Sequence, residues 1–333
     1  MATLASNTVT FADYTKRVNG DGTMLPIVEI LNVTNELTPV IPWMPCNDGH
    51  EHRTLLRTAL PTVTEIQPGG GFAISASDAT PIVETCSILG TAMQVDALVA
   101  KSYGDEASLL AGEAVAAVEA MNQTFVDRFF YGNQTTNKLQ FNGLQSRYAS
   151  TTTANNGENV LLGGGAGSDN TSVWGLVLGE STLHGIYPKG LEMGLSMIKE
   201  NEGKEVMRTL SNGNIQPVKS TRFQWHCGLA LRDWRAAVRI ANIDTSNLLA
   251  NTTPADLYTL LIKAYHRMVP VMNRGKAVFV VNRGVMQALD IQSREDVAYR
   301  LDYSNIDGKM VTTFRGIPFI VTDALRKNEA TIS

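Results

Sequence analysis

The chain has 333 residues, a formal net charge of −4 and a charged fraction of 18%, below the roughly 25% typical of soluble domains. Its acidity argues against a dedicated nucleic-acid binder, which would show a basic face, and its length allows a core without disulfides or metals. Cys46, Cys86 and Cys227 are widely spaced, and neither a signal-peptide pattern nor a long apolar run is present, so we expect a reducing cytoplasm and no membrane association.

Residues 1–52 have the composition of a poorly packed N-terminal region. Polar stretches alternate with short apolar ones, and Pro26, Pro39, Pro42 and Pro45 interrupt any long helix. This pattern is typical of an arm that crosses another subunit, and equally of an N-terminal region that folds on its own domain. The sequence leaves both interpretations open.

Residues 53–96 have the composition of a long β excursion. Residues 54–66 predict a strand, residues 68–71 a turn, and residues 83–95 a returning strand. A two-stranded ribbon is marginally stable in water unless another surface covers it, and its open edges pair readily with other chains. We therefore expect it to lie on a neighbouring subunit, with packing on its own domain as the alternative. The residues expected at this interface are Arg53, Arg57, Glu65 and Phe72.

Residues 104–131 carry the clearest helical signal. The apolar side chains that recur at helical spacing are Val115, Val118, Met121, Phe125 and Phe129. A helix of about 28 residues is roughly 42 Å long, far longer than an average helix, and Gly132-Asn133 is a typical C-terminal signal. We expect this helix to cross the whole subunit as its spine.

The rest of the chain mixes short elements of both types. The predicted elements are strands at 173–178, Lys276–Val281 and 310–321, helices at 254–268 and 283–291, an exposed loop at 155–170, an exposed loop or ribbon at 188–212, and a tight turn at 316–318. Thr253 is the expected N-cap of the second helix, with Pro254 at its first helical position. Regular βαβ alternation is missing from this order, which indicates an α+β fold rather than a doubly wound sheet.

Several fragments resemble catalytic or metal-binding motifs, and each is incomplete. His50 and His52 lack a third ligand and an HExxH pattern. Residues 163–167 lack the Gly-Lys-Ser/Thr of a phosphate loop, and residues 179–183 fail the nucleophile-elbow pattern at its last position. The histidines without an evident carboxylate partner are His184, His226 and His266. We therefore predict a non-enzymatic protein with no catalytic site, cofactor or metal.

Three arginines lie close together in the sequence, at Arg232, Arg235 and Arg239. On one helical face they could contact DNA phosphates, because that attraction needs only positive charge. The alternative is that they form salt bridges with acidic residues of neighbouring subunits, and we favour this alternative.

Six segments between residues 129 and 325 each resemble a segment of the same known protein family. They are FFYGN at 129–133, FNGL at 141–144, WGLVLGESTLHGIYPKG at 174–190, FQWHCGLALRDWRAAVRIANID at 223–244, TFRGIP at 313–318 and DAL at 323–325. The first two resemble the end of the spine helix and the following loop in major capsid proteins of tailed bacteriophages. The next two are similar to segments of short-tailed phages (podoviruses), and the last two resemble the closing segment of the family. Their order and spacing are jointly specific.

The resemblance implies a Hong Kong 97-type fold of four parts. These would be an N-terminal arm at residues 1–52, an extended β loop at 53–96, a peripheral domain at 97–150 with the spine helix at 104–131, and an axial domain with the remaining peripheral strands at 151–333. The arm, the β excursion and the long helix were each predicted independently from the residues, in the same order.

The resemblance also implies a function in assembly. The chain would occupy hexamers and pentamers of an icosahedral shell, with T=7 as the expected lattice, around phage double-stranded DNA. Expected partners are copies of itself, a portal, a scaffold, a decoration protein and the packaged DNA, contacted non-specifically. The expected location is the virion, after assembly in the host bacterial cytoplasm. Alternatives are a tail or portal component, a cellular encapsulating shell protein of the same fold, and a soluble α+β enzyme.

Overall fold

The computed structural model gives the chain an α+β architecture. It describes residues 37–102, 106–191, 198–209, 213–250, 254–295, 302–306 and 309–332. Most of the predicted N-terminal arm therefore lies outside the described residues. Among the helices within those ranges, none combines the length and apolar character needed to cross a membrane.

The part of the chain that the structure describes contains six α-helices and fourteen strands. The helices are α1 (Ala97–Ser102), α2 (Glu106–Tyr131), α3 (Leu144–Arg147), α4 (Thr245–Ala250), α5 (Leu257–Met272) and α6 (Arg283–Glu295). The strands are β1 (Trp43–Pro45), β2 (Glu51–Ala59), β3 (Asp78–Thr85), β4 (Ser87–Asp96), β5 (Val160–Leu162), β6 (Asn170–Leu178), β7 (Leu183–Tyr187), β8 (Ile198–Thr209), β9 (Ile215–Leu231), β10 (Ala237–Asp244), β11 (Lys276–Val281), β12 (Asp302–Ile306), β13 (Lys309–Phe314) and β14 (Ile317–Val321). The predicted long helix is present as α2, which has 26 residues.

Twelve of the described strands form one continuous hydrogen-bonded sheet. Its order is β12-β13-β14-β11-β6-β7-β9-β4, with β1 on β7, β10 on β6, β5 on β10 and β8 on β9. Strand β6 lies at the centre, between the antiparallel strands β10 and β11. All nine residues of β6 are buried, as expected for a strand that is covered on both faces.

Strand β9 has 17 residues and joins two parts of this sheet. Its C-terminal end pairs with β7, and its remaining length lies between β4 and β8. The composition of residues 83–95 predicts one returning strand of the ribbon. That prediction is wrong after residue 86, because β4 pairs with β9 and buries Ser87 and Val95 there. The predicted exposed segment at 188–212 contains β8, which pairs with the same strand.

The spine helix is fixed to the sheet by aromatic side chains. Phe125 is fully buried, and its ring centroid lies 4.7 Å from that of Trp225 on β9 and 5.4 Å from that of Trp43 on β1. Five residues further along, Phe130 lies with its ring centroid 6.0 Å from that of Trp174 on β6. These separations are typical of favourable ring pairs, so the C-terminal half of α2 forms part of the hydrophobic core.

The chain passes very close to itself where α2 ends. A Cβ atom at Gly132 would lie 2.5 Å from the carbonyl oxygen of Phe141, and one at Gly143 would lie 2.6 Å from that of Arg128. The Gly143 N–H also donates a 2.8 Å hydrogen bond to the Gly132 carbonyl. Only glycine leaves room for this approach, which explains both glycines of the FFYGN and FNGL segments.

Two predicted boundaries shift in the structure. The side chain of Asp256 accepts a 3.0 Å hydrogen bond from the Thr259 N–H and is the N-cap of α5. The predicted helical start at Pro254 is therefore wrong, and the predicted N-cap, Thr253, lies outside the described residues. Asp caps a helix as well as Thr does. The turn expected in the TFRGIP segment is present at Arg315 and Gly316, whose φ angles are 51° and 79°, as in a type I′ hairpin.

Candidate assembly surface

Strands β2 and β3 form a two-stranded ribbon that is separate from the main sheet. They pair antiparallel from Glu51↔Thr85 at the base to Ala59↔Asp78 further out. At the tip, Gly69 has a φ of +88° and the Gly70 N–H donates to the Gln67 carbonyl at 2.8 Å. Every residue from 57 to 81 is exposed. The described part of the chain therefore does not cover the outer ribbon.

The ribbon carries apolar side chains that this chain does not cover. Val63 is 92% exposed and Phe72 is 85% exposed. The other large exposed hydrophobic residues of the ribbon are Leu55, Leu60, Ile66, Ile74 and Val83. Seven large apolar side chains exposed on one segment indicate an interaction site.

All four residues predicted for the interface lie on this ribbon. Arg53 is exposed near the base, and its guanidinium lies 3.1 Å from Asp48 and 3.3 Å from Glu51. Arg57, Glu65 and Phe72 lie further out, where every residue is exposed. Arg57 and Glu65 make no ion pair with another described residue, so their charges face solvent.

The base of the ribbon is tied to the loop that follows the spine helix. Arg147 on α3 donates two hydrogen bonds to the carboxylate of Glu84, one of them at 2.7 Å, and a third to the Asn142 carbonyl at 3.0 Å. Gln134 Nε2 also donates to Thr85 Oγ1 at 3.3 Å. The Glu84–Arg147 pair is largely buried. The pair could not be predicted from the sequence, because its partners are 63 positions apart and no local pattern marks either one.

Two histidines, His52 and His184, contact each other at the base of the ribbon. The His52 and His184 rings lie edge to face with centroids 5.5 Å apart, and Arg232 Nη2 lies 2.8 Å from His52 Nε2. Burial and the charge of Arg232 lower the pKa of His52, and the same two causes lower the pKa of His184 to about 4. His184 is therefore a neutral, packed residue at pH 7. No group of three or more His, Cys, Asp and Glu side chains in the described part of the chain could hold a metal ion.

The three arginines near β10 do not share one basic face. Arg232 directly follows β9, Arg235 lies in a 3-10 turn (Trp234–Ala236) and Arg239 lies on β10, so they do not lie on one helix. Arg232 faces His52, and Arg235 is partly exposed with its guanidinium 2.8 Å from Asp233.

Arg239 is buried completely in an ion pair with Glu329, at 2.7 Å. Contact between Arg239 and DNA is therefore a wrong prediction, because solvent and ligand cannot reach its guanidinium. Its salt bridge, and that of Arg235, lie within the chain rather than between subunits.

The glycine-rich segment at 163–167 lies along the end of β10. The Gly163 and Gly165 N–H groups donate 2.8 Å hydrogen bonds to the carbonyls of Ala241 and Asn242. The segment lines an open cavity of about 310 Å³ together with Asp244, Asn247 and Ala255. The described residues that line this cavity include no lysine, the residue that a phosphate loop uses to bind its ligand.

The chain is similar over its whole length to a chain in the structure of bacteriophage epsilon15, a podovirus. The two are 26% identical, the match covers 100% of this chain and 99% of that chain, and the TM-score is 0.77. A chain of the bacteriophage JBD30 capsid is 10% identical, with 90% and 91% covered and a TM-score of 0.49. The SrpI encapsulin of Synechococcus elongatus PCC 7942 is 11% identical, with 72% and 96% covered and a TM-score of 0.46. None of the curated protein sequences matches the chain.

The chain thus has the Hong Kong 97-like capsid fold and is a subunit that assembles with copies of itself into a phage capsid shell. The family model of the major capsid protein GP7 matches residues 19–333, and the chain belongs to this family. The predicted resemblance to phage capsid proteins is confirmed, and the protein is a structural component of the virion.

Proposed function

We propose that the ribbon, residues 51–85, is the surface by which each subunit covers its neighbour when the shell closes. The observation that supports this is the set of exposed apolar side chains on the ribbon, among them Val63 and Phe72, which no other described residue of the chain covers. Burial of one such side chain contributes about 1.5–3 kcal/mol. Individually weak contacts act together in a closed shell because each subunit is held at several points at once.

A double variant, Arg57→Glu with Phe72→Asp, tests this role. Both side chains are exposed, so we expect circular dichroism and gel filtration to show a folded subunit that forms no particles in negative-stain electron microscopy. The matched control is Leu139→Asp with Lys138→Glu, two exposed positions in the loop after the spine helix. The control should still form shells. Normal shells from the ribbon variant would remove the ribbon from the interface.

The four-part division follows from the same proposal. Residues 1–52 would be the N-terminal arm, 53–96 the extended loop, 97–150 the peripheral domain, and 151–333 the axial domain with the remaining peripheral strands. The structure supports a refinement of the second boundary, since the free ribbon ends at Thr85 and β4 belongs to the main sheet. The bonds between Glu84 and Arg147 would then hold the extended loop to the peripheral domain.

The shell would enclose phage double-stranded DNA in a T=7 lattice of hexamers and pentamers. A portal, a scaffold and a decoration protein would complete it, assembly would take place in the host bacterial cytoplasm, and the chain would have no catalytic activity. Nuclease-protected double-stranded DNA in particles from a phage lysate is the expected finding. Particles that carry protein cargo without DNA would favour a cellular encapsulating shell instead.

Contact with DNA on the inner face would be electrostatic and independent of base sequence. Of the three predicted arginines, Arg235 is the best placed, since its side chain is 39% exposed. Arg274 approaches the same carboxylate, Asp233, at 3.3 Å and is also exposed. Because Arg235 and Arg274 share one aspartate, one positive charge remains without a counter-charge in this group, and a phosphate could neutralise it.

A further inference from the structure

Two of the three cysteines lie next to each other at the base of the ribbon. Cys46 follows β1, and Cys86 is the residue between β3 and β4. Although 40 positions separate them, their Sγ atoms are 3.3 Å apart and share a hydrogen bond. Both are free thiols in the structure. They therefore stand at the two points where the chain enters and leaves the ribbon.

The backbone holds both cysteines in this arrangement. The Cys46 N–H donates to the Tyr187 carbonyl at 2.7 Å, and the Cys86 N–H donates to the His50 carbonyl at 3.0 Å. Cys46 also packs with Ile186 of β7 in a small apolar cluster that Cys86 completes. The backbone positions of both cysteines are thus fixed, so the distance between their Sγ atoms changes only by rotation of the side chains.

We propose that Cys46 and Cys86 form an oxidation site, at which exchange with a small-molecule disulfide produces an intrachain disulfide that closes residues 47–85 into a covalent loop. A disulfide requires an S–S distance of about 2.05 Å, so the sulfur atoms must approach by only about 1.2 Å from their present separation. A rotation of either side chain supplies a movement of this size. The proposal goes beyond the role of the ribbon in assembly, because both thiols belong to one chain.

The exchange proceeds in two steps. Cys86 is the more exposed of the two residues, whereas Cys46 is 2% exposed, so Cys86 reacts first and forms a mixed disulfide with release of one small thiol. The Cys46 sulfur then attacks the Cys86 sulfur and displaces the second small thiol. The pair loses two electrons and two protons in total, and the small-molecule disulfide is reduced to two thiols.

The hydrogen bond between the two thiols shifts their pKa values in opposite directions. It raises, together with burial, the pKa of the Cys86 thiol and lowers the pKa of the Cys46 thiol, so the first step at Cys86 is slow and Cys46 is the better nucleophile for the second step. The third cysteine, Cys227, is fully buried on β9, and burial raises the pKa of its thiol also. Cys227 is therefore an internal control that should stay a thiol throughout.

The test is to incubate the purified native protein with oxidised glutathione, then alkylate it in denaturant and count free thiols by mass spectrometry. The expected result is a fall from three thiols to one, with a crosslink between the tryptic peptides 18–53 and 58–101, which carry Cys46 and Cys86 separately. Cys227, in peptide 223–232, should be alkylated. The melting temperature should rise by about 5 °C and return after addition of dithiothreitol.

Two variants separate the proposal from its competitors. Cys227→Ala should still form the crosslink, and Cys86→Ser should lose it and keep two free thiols. Three thiols in oxidised wild-type protein would overturn the proposal, and so would a link that uses Cys227 or a covalent dimer on a non-reducing gel. The wild-type measurement decides the question even if a variant folds poorly.

Discussion

The guanidinium of Arg239 and the carboxylate of Glu329 form a 2.7 Å ion pair whose side chains are 0% and 2% exposed. The pair is saturated with further hydrogen bonds, since Tyr131 donates to Glu329 at 2.6 Å and Arg239 donates to the Tyr148 carbonyl at 2.9 Å. Tyr131 is the last residue of the spine helix. The pair therefore joins the C-terminal segment to the spine and to the central strands.

Removal of one partner from this pair should destabilise the subunit strongly. In Glu329→Gln the buried charge of Arg239 loses its counter-charge, a change that typically costs about 3–5 kcal/mol. Urea unfolding of the unassembled subunit measures the loss. Arg283→Gln is the control, because its ion pair with Asp323 is exposed and should contribute less than about 1 kcal/mol. Equal losses of stability in the two variants would contradict the larger contribution that we assign to the buried pair.

A methyl group at Gly143 should prevent the normal close packing of this residue against the end of the spine helix. Its φ of −78° is open to any residue, so the cost comes only from a Cβ atom placed 2.6 Å from the Arg128 carbonyl. We expect Gly143→Ala to lower the free energy of unfolding by about 3 kcal/mol. Gly90→Ala is the matched change, since the nearest atom to its Cβ would be 3.7 Å away. A stable Gly143→Ala would show that the loop can move aside.

His184 should make the subunit sensitive to acid. Its pKa is about 4 in the folded chain, because burial and Arg232 oppose its charge, and about 6.5 in an unfolded chain. Between these values the unfolded state binds the proton and the folded state does not, so stability is complete above pH 6.5 and falls as the pH decreases towards 4. The difference corresponds to about 3 kcal/mol.

The variant His184→Leu isolates this contribution. Urea unfolding at pH 7 and pH 4.5 should show a smaller loss of stability for the variant than for the wild-type subunit, because carboxylates contribute equally to both. An identical loss in the two proteins would mean that His184 does not bind a proton on unfolding in this range.

Limited proteolysis should distinguish free from assembled subunits at the ribbon tip. Residues 69–72 are exposed, and Phe72, two residues after the turn, is a site for chymotrypsin. We expect rapid cleavage there in the free subunit and protection in the shell, where a neighbour would cover the tip. Peptide mapping by mass spectrometry identifies the cut. Equal cleavage rates in both forms would show that the tip stays uncovered.

The elements that the sequence predicted well are those whose signal is local. The spine helix was recognised because its apolar spacing lies within one continuous segment, and β11 was predicted with its observed bounds, Lys276–Val281. The turn at Gly316 followed from its glycine, because a left-handed backbone favours that residue. The order of arm, ribbon and spine then agreed with the family resemblance, and together these observations determined the class of protein.

Only the tertiary structure decided which distant residues meet. Arg239 resembled a surface charge in the sequence, yet its partner Glu329 lies 90 positions away, and burial of the pair depends on the packing of the whole sheet. Strand β4 was predicted to belong to the ribbon, because its composition suits pairing with β2 as well as with β9. In the structure it pairs with β9, where β4 covers an apolar surface. The contact between Cys46 and Cys86 arises in the same way. Local propensity specifies elements, whereas long-range burial specifies their partners, and no single segment contains that information.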